Sequence, residues 1–315
     1  MRGRGRGLPL RVRLIMAAAP TFALPPSFLA IARRDRDALF CIAGVPFDLG
    51  TTNRSGARFG PSALRQASRM LVDGDHPHWR LDPAAGSVAD IGDFSIALGN
   101  IVESLSLIEQ QAGAIRHLIA LGGDHTITLP LLRAAAKRRG SPLALVHFDA
   151  HVDTWPDNFG QRYAHGSVFY HAIEEQLINP QHMVQIGIRS PVAKEVYDWT
   201  VAKGVTIISA LDVHEFGPAV VAERILAVVA DKPTYLSLDV DVLDPAFAPG
   251  TGTPEVGGLA TWQMQAILRR LSQVVFVGMD MVEVTPSYDV AETTALAGAT
   301  MVWEYLSLPG SSNTD

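Results

Sequence analysis

One run of residues indicates the class of fold: Leu143-Ala144-Leu145-Val146-His147-Phe148-Asp149-Ala150-His151-Val152-Asp153. Its first part, 143–148, is almost entirely apolar, which is typical of a strand that is buried on both faces. Polar residues follow at once. Side chains two positions apart lie on the same face of an extended chain, so Asp149, His151 and Asp153 should project together. The run therefore predicts a buried strand with polar side chains clustered at its carboxyl end.

The same alternation continues on both sides of this run. Other short apolar runs lie at 39–45, 118–121, 184–188, 205–208, 235–240 and 274–278. Helical patterns lie between or after them at 60–70, 101–120, 129–139, 220–230, 261–271 and 293–306. Strands that are apolar on both faces and separated by helices are typical of a parallel sheet covered on both sides. The sequence therefore predicts an α/β protein.

The domain organisation follows from the absence of linkers and repeats. No stretch rich in Gly, Ser or Pro divides the body of the chain, and no repeat of about 20–50 residues is visible. We therefore expect a single catalytic domain over residues 38–308. A flexible N-terminal extension should occupy residues 1–37, and a C-terminal tail should occupy residues 309–315.

Composition excludes several classes of protein. The chain has 315 residues, of which 48% are hydrophobic and 18% charged, so it is not a disordered protein. The single cysteine, Cys41, excludes a disulfide framework and a cysteine-based zinc site, and it is compatible with a cytoplasmic location. The net charge of −6 does not suggest nucleic-acid binding, and no segment approaches the roughly 20 apolar residues of a membrane helix. We expect neither nucleic acid nor membrane as a partner.

The N-terminal arm differs in charge from the rest of the chain. Its first 15 residues hold no acid and five arginines, Arg2, Arg4, Arg6, Arg11 and Arg13. Three interpretations stay open: a targeting segment, a flexible extension, or an upstream start codon with the working protein beginning near Met16.

Two further polar clusters also follow apolar runs. Asp239 and Asp241 share one face at the end of the run 235–240, and Gly122-Gly123-Asp124-His125 follows the run 118–121. Paired buried carboxylates repel each other, and a divalent cation between them removes that cost. With the first cluster, the predicted sheet edge collects six candidate metal ligands, which suggests more than one cation: His125, Asp149, His151, Asp153, Asp239 and Asp241.

These segments resemble the signature motifs of the ureohydrolases, the arginase and agmatinase family. The resemblance runs from about residue 38 to residue 306 and rests on six segments: Gly56–Pro61, Gly122–His125, Asp149–Asp153, His165-Gly166, Ser237–Pro245 and Ala248–Pro254. It is greater to the agmatinase branch than to arginase itself. The resemblance implies an arginase-like three-layer α/β/α sandwich with an eight-stranded parallel sheet.

The resemblance also implies two divalent metal ions, with Mn²⁺ expected and Ni²⁺ or Co²⁺ compatible with the donor set. By motif position, one ion would be held by His125, Asp149, Asp153 and Asp239. The other would be held by Asp149, His151, Asp239 and Asp241, so that Asp149 and Asp239 bridge. All six positions carry the expected residue types.

The implied chemistry is hydrolysis of a guanidino C–N bond to urea and an amine. Two cations can lower the pKa of a shared water, and the resulting hydroxide would attack the guanidine carbon. By resemblance, Asp153 would pass a proton to the leaving amine, His165 would shuttle protons, and Glu283 would pair with the substrate guanidinium. The alternatives are a loop histidine without function at His165 and a buried structural acid at Glu283.

The substrate stays open between agmatine, guanidinobutyrate, guanidinopropionate and a related guanidine or biguanide. The loop at 50–55 lacks the Tyr-Arg-Pro sequence expected of an agmatinase. Arg54 or Arg162 would favour a carboxylate tail and Asp157 an amine tail. Trp155 with Phe159 would suit a short apolar or biguanide-like substrate.

The resemblance implies a homo-oligomer, either a trimer or a hexamer. Two alternative functions stay open. One is a weakly active or inactive subunit in a hetero-oligomer with a homologous chain. The other is a deacetylase-like metallohydrolase, although six clustered donors favour two ions over its single zinc.

Overall fold

The computed structural model describes residues 20–309, so the arginine-rich part of the arm and residues 310–315 lie outside the described residues. These residues form one sheet of eight parallel strands in the order β2-β1-β3-β8-β7-β4-β5-β6. The strands are β1 Phe40–Val45, β2 Val88–Asp93, β3 Leu118–Gly122, β4 Leu143–Phe148, β5 Ile178–Ile188, β6 Thr206–Ser209, β7 Thr234–Asp239 and β8 Phe276–Val282.

Helices cover both faces of this sheet. They are α1 Gly60–Ser68, α2 Ile101–Gly113, α3 Thr128–Arg139, α4 Val168–Glu174, α5 Lys194–Ala202, α6 Ala210–Val229, α7 Thr261–Arg270 and α8 Thr293–Leu306. Alternate residues of each strand point to opposite faces of the sheet and so contribute to two separate cores. Val146 belongs to the core under α1, α6, α7 and α8, and Leu145 belongs to the core under α2, α3 and α4. The prediction of an eight-stranded α/β/α sandwich is therefore confirmed.

The predicted and observed elements differ at the edge of the sheet. Strand β2 was not predicted, because Asp90 and Asp93 interrupt its apolar pattern and its second half is partly exposed. Helix α5 was not predicted either, and α6 begins at Ala210 rather than at residue 220. Within residues 20–309, no helix has both the length and the apolar character needed to cross a membrane.

Part of the expected N-terminal extension packs on the core. Phe28 and Leu29 are buried, and the Phe28 amide donates a 2.7 Å hydrogen bond to Asp90 on β2. Asp90 is buried and also forms an ion pair with Arg65 of α1, at 2.8 Å. Residues 28–31 are therefore held against the domain by apolar burial and by this buried pair. The expected extension over residues 1–37 therefore includes a segment that packs on the domain.

A buried histidine lies at the opposite end of the sheet from the polar clusters. His117 precedes β3, and its Nε2 lies 2.7 Å from the Tyr305 hydroxyl. Its ring also packs against Phe40 in a T-shaped arrangement, with 4.6 Å between the ring centres. Burial, with the nearby charges of Arg139 and Arg138, lowers the pKa of His117 to about 3.

This histidine makes stability depend on pH. Below about pH 6.5 the unfolded chain binds a proton that folded His117 excludes, so the free energy of unfolding should fall as the pH falls. We expect His117 to contribute a loss of about 2 kcal/mol between pH 7 and pH 5. Urea denaturation at both pH values measures it. The variant His117→Gln should reduce this difference in the free energy of unfolding. The control His214→Gln, at an exposed histidine, should not reduce it. Equal pH dependence in the wild type and both variants would contradict the prediction.

Candidate metal centre

The polar residues identified in the sequence meet at the carboxyl edge of four adjacent strands, β3, β8, β7 and β4. His125 follows β3, and Asp149 follows β4 directly. Asp239 ends β7, and Glu283 follows β8. The pairing of Phe148 with Leu238 sets β4 and β7 in register, so that the residues after them emerge side by side.

The first donor group surrounds a buried imidazole nitrogen. His125 Nδ1 lies 3.2 Å from Asp149 Oδ2, 3.0 Å from Asp153 Oδ2 and 3.3 Å from Asp239 Oδ2. This nitrogen is buried and has no hydrogen-bond partner. Ligand atoms that lie about 2.1 Å from one cation are about 3 Å from each other. The spacing of the four atoms therefore fits the coordination shell of a metal ion.

The second donor group shares Asp149 with the first. His151 Nδ1 lies 3.1 Å from Asp149 Oδ1 and 3.1 Å from Asp241 Oδ2. Asp149 thus directs one carboxylate oxygen to each group. Asp239 directs Oδ2 to His125, and its Oδ1 accepts a 2.8 Å hydrogen bond from the Asp241 amide. The structure therefore brings together all six candidate ligands in two adjoining groups.

The crowded carboxylates of the two donor groups favour the binding of cations. Burial and the nearby carboxylates Asp241 and Asp149 raise the pKa of Asp239 well above its ordinary value. Burial and Asp149 likewise raise the pKa of Asp241. Carboxylates crowded in this way favour either protons or bound cations. Four carboxylates and two imidazoles are suitable donors for divalent first-row transition metals, so the residues present fit a pair of such ions.

A buried chain of hydrogen bonds orients the His125 ring. His125 Nε2 lies 2.9 Å from Ser237 Oγ, which donates to Asp280 Oδ1 at 2.7 Å. The other oxygen of Asp280 accepts from Thr128 Oγ1 at 2.8 Å. Because Nε2 is engaged in this way, Nδ1 is left facing the carboxylates.

His165 and Glu283 form the third part of the site. Glu283 Oε1 accepts a 2.9 Å hydrogen bond from the His125 amide and lies 3.1 Å from His165 Nδ1. Glu283 Oε2 is buried and has no hydrogen-bond partner. Burial lowers the pKa of His165, but the hydrogen bond and the charge of Glu283 outweigh it and raise that pKa to about 9. The unpaired Oε2 of Glu283 can accept hydrogen bonds from the N–H groups of a cationic ligand.

Two residues of the site have a strained backbone. Asp153 has φ of 49° and Glu283 has φ of 63°, in the left-handed region that residues other than glycine rarely adopt. Such outliers cost on the order of 1–3 kcal/mol each and cluster at functional sites. Both side chains are held toward the donor groups in spite of this cost.

Sequence reasoning gave no role to two residues that build the site. Asp124 Oδ2 accepts a 2.7 Å hydrogen bond from the Gly50 amide, and the Gly50 carbonyl accepts from the His165 amide. Thr52, in the same loop, contacts the His165 ring. Asp124 was visible in the Gly-Gly-Asp-His motif, whereas the sequence carried no signal that linked Thr52 to His165.

The residues considered for the substrate tail lie in different surroundings. Trp155 packs against a small apolar cluster, and Phe159 is 96% exposed. Arg162 is exposed and lies over the Tyr163 ring. Asp157 is exposed, and its Oδ1 accepts a 2.9 Å hydrogen bond from the Gly160 amide.

The backbone of Arg54 approaches Glu283 across Gly252. The Arg54 guanidinium is half-buried, 4.9 Å from the centre of the Tyr288 ring. A methyl group placed on Gly252 would lie 3.1 Å from the Arg54 carbonyl oxygen and 3.4 Å from Glu283 Oε2. Gly252 therefore separates the backbone of Arg54 from the unpaired carboxylate oxygen.

Known proteins are similar to this chain in sequence and in fold. The model of the arginase family matches residues 38–307. The agmatinase of Photorhabdus laumondii is 44% identical over 282 residues, which cover 87% of this chain and 88% of that protein. A hypothetical agmatinase from Burkholderia thailandensis superposes with a TM-score of 0.85 at 42% identity, over 92% of both chains. Proclavaminate amidino hydrolase from Streptomyces clavuligerus superposes with a TM-score of 0.87 at 36% identity, over 93% of this chain and 99% of that one.

The α/β/α fold, together with the similarity to the arginase family and to agmatinases, identifies the chain as a ureohydrolase, a hydrolase that acts on C–N bonds in amidines. Its His/Asp cluster fits the metal site that such an enzyme needs. The chain belongs to the arginase family. The resemblance inferred from the motifs and the predicted enzyme class are both confirmed.

Proposed function

We propose that this enzyme hydrolyses agmatine to urea and an amine at a binuclear metal centre. The observation that carries the proposal is the position of Asp149, which directs Oδ2 to the His125 group and Oδ1 to the His151 group. A carboxylate in this position can bridge two cations. Agmatine is the first substrate to consider, because relatives 44% identical to the chain are agmatinases.

The proposed ligand sets follow the two donor groups. His125, Asp149, Asp153 and Asp239 would hold one ion, and the other would be held by Asp149, His151, Asp239 and Asp241. Mn²⁺ is the proposed metal. Divalent cations held here would lower the pKa of water and so supply the nucleophile at neutral pH.

Residues of the chain would bind the substrate and move the protons. Glu283 Oε2, which has no partner of its own, would accept N–H donors of the guanidinium. His165, which is held through Nδ1 by Glu283, would exchange protons with the reacting groups. Asp153 contacts His125 through Oδ2 and would carry a proton to the leaving amine on Oδ1.

The quaternary structure and the domain limits are part of the same proposal. Residues 38–308 would form the catalytic unit, in agreement with the family match over 38–307. The enzyme would act as a homo-oligomer, a trimer or a hexamer.

A second candidate is a guanidino acid, such as guanidinobutyrate or guanidinopropionate. Arg54 favours it, because this half-buried guanidinium forms no ion pair with the residues that the structure describes. A cation near the site would attract a carboxylate tail and repel the ammonium tail of agmatine.

A substrate panel tests both candidates. Metal content is measured, and urea release is followed colorimetrically with agmatine, arginine, guanidinobutyrate, guanidinopropionate, guanidine and a biguanide. We expect two transition-metal ions per chain and the highest kcat/KM with agmatine. Metal-loaded protein that releases no urea from any compound would contradict the proposal and favour an inactive subunit of a mixed oligomer.

Replacement of Arg54 by Gln separates the two candidates. An agmatine hydrolase should keep its kcat/KM or gain a few-fold, because a repulsive charge is removed. A guanidino-acid hydrolase should lose about tenfold or more, since the loss of one charge-assisted contact costs about 1.5–3 kcal/mol.

A further inference from the structure

The hydroxyl of Thr52 meets the outer nitrogen of the His165 ring. Thr52 Oγ1 lies 2.7 Å from His165 Nε2, and the Thr52 amide donates to the same nitrogen at 3.3 Å. The other ring nitrogen, Nδ1, faces Glu283. Both nitrogens of the imidazole are therefore engaged, one toward the interior and one toward the loop at 50–55.

A hydroxyl group can serve both protonation states of this histidine. When Nε2 carries a lone pair, the Thr52 hydroxyl donates to it; when Nε2 carries a proton, the hydroxyl oxygen accepts that proton in a hydrogen bond. The Thr52 amide can serve only the unprotonated state. Because the Thr52 hydroxyl can hydrogen-bond to Nε2 with or without its proton, it does not hold the imidazole in one protonation state.

The two residues differ in their access to water. His165 is buried, with 11% of its side chain exposed, whereas Thr52 is an exposed residue. The charged groups that act most strongly on the His165 ring are the acids Glu283, Asp153 and Asp124. The Thr52 hydroxyl, 2.7 Å from Nε2, therefore connects the buried ring to a residue that is exposed to solvent.

We propose that the Thr52 hydroxyl relays protons between His165 Nε2 and solvent during turnover. This inference rests on the proposed function, in which His165 moves protons. In the outward step the N–H bond at Nε2 breaks, a new O–H bond forms at Thr52, and the original hydroxyl proton passes to a solvent water or buffer base. The inward step is the reverse. Thr52 thus acts through His165 and does not touch the substrate.

The test compares Thr52→Val, which removes the hydroxyl and keeps the shape, with Thr52→Ser, which keeps the hydroxyl. In the metal-loaded enzyme, kcat for Thr52→Val should fall about tenfold with KM within twofold, and Thr52→Ser should stay within twofold of wild type. Imidazole buffer, raised at constant ionic strength, should restore kcat in Thr52→Val and leave the wild type unchanged. The control is Ser55→Ala, an exposed position of the same loop.

Each outcome identifies which proposal fails. A wild-type kcat in Thr52→Val, or a loss that neither buffer nor Thr52→Ser recovers, would overturn the relay and leave the hydrolase proposal intact. An altered KM with unchanged kcat would assign Thr52 to substrate binding and would also overturn the relay. A wild-type enzyme that releases no urea would overturn both proposals.

Discussion

Replacement of Asp149 by Asn should remove bound metal and urea release together. Asp149 has one carboxylate oxygen 3.2 Å from His125 Nδ1 and the other 3.1 Å from His151 Nδ1. Asparagine keeps the shape but exchanges one ligating oxygen for an NH₂ group and removes the negative charge. We expect kcat/KM to fall by at least about 1,000-fold, which corresponds to about 4 kcal/mol of transition-state stabilisation.

The measurement combines elemental analysis with urea release after dialysis. Asp231→Asn is the matched control, because Asp231 is an exposed aspartate that precedes β7, at the opposite end of the sheet from the donor groups. The control should retain both metal ions and activity. Full metal content and activity in Asp149→Asn would refute the bridging role, and a circular-dichroism melt of both variants separates metal loss from unfolding.

The sequence predicted the central strands of this fold better than the edge strand β2. The run at 143–148 is β4, with the same limits in the structure, because a central parallel strand is buried on both faces and is apolar throughout. Strand β2 escaped prediction for the opposite reason. It lies at the edge of the sheet, and its polar end, with Asp90 and Asp93, holds Arg65.

The donor cluster could be anticipated because it follows from two local rules. Polar residues directly after parallel strands share one edge of the sheet, and residues two apart in extended chain share one face. The details of the site depend instead on contacts between distant segments. The bond from Thr52 to His165 spans 113 residues and that from His125 to Glu283 spans 158, and no local pattern encodes either.

The N-terminal segment shows a different limit. Phe28 and Leu29 follow Pro25 and Pro26, and the sequence there has no helical or strand period. Their burial depends on Asp90 and Ser68, which accept hydrogen bonds from the two amides. A segment of this kind is fixed by its partners rather than by its own propensity.

Glu283→Gln should separate substrate binding from metal binding. The buried Oε2 of Glu283 has no partner in the structure, whereas Oε1 accepts from the His125 amide and faces His165. Glutamine keeps an acceptor but loses the charge that a guanidinium requires. We expect kcat/KM to fall about 100- to 1,000-fold with metal content unchanged, in the range typical of a lost group that stabilises a transition state.

Metal content therefore distinguishes this variant from Asp149→Asn, which should lose both ions and activity. Glu283→Asp keeps the charge on a side chain one methylene shorter, so it should recover part of the lost kcat/KM but not all of it. Inhibition by a guanidinium compound that is not hydrolysed, compared between wild type and Glu283→Gln, measures the binding step alone. If the glutamine variant binds this compound as tightly as the wild type does, Glu283 does not hold the guanidinium, and its strained backbone then serves to orient His165.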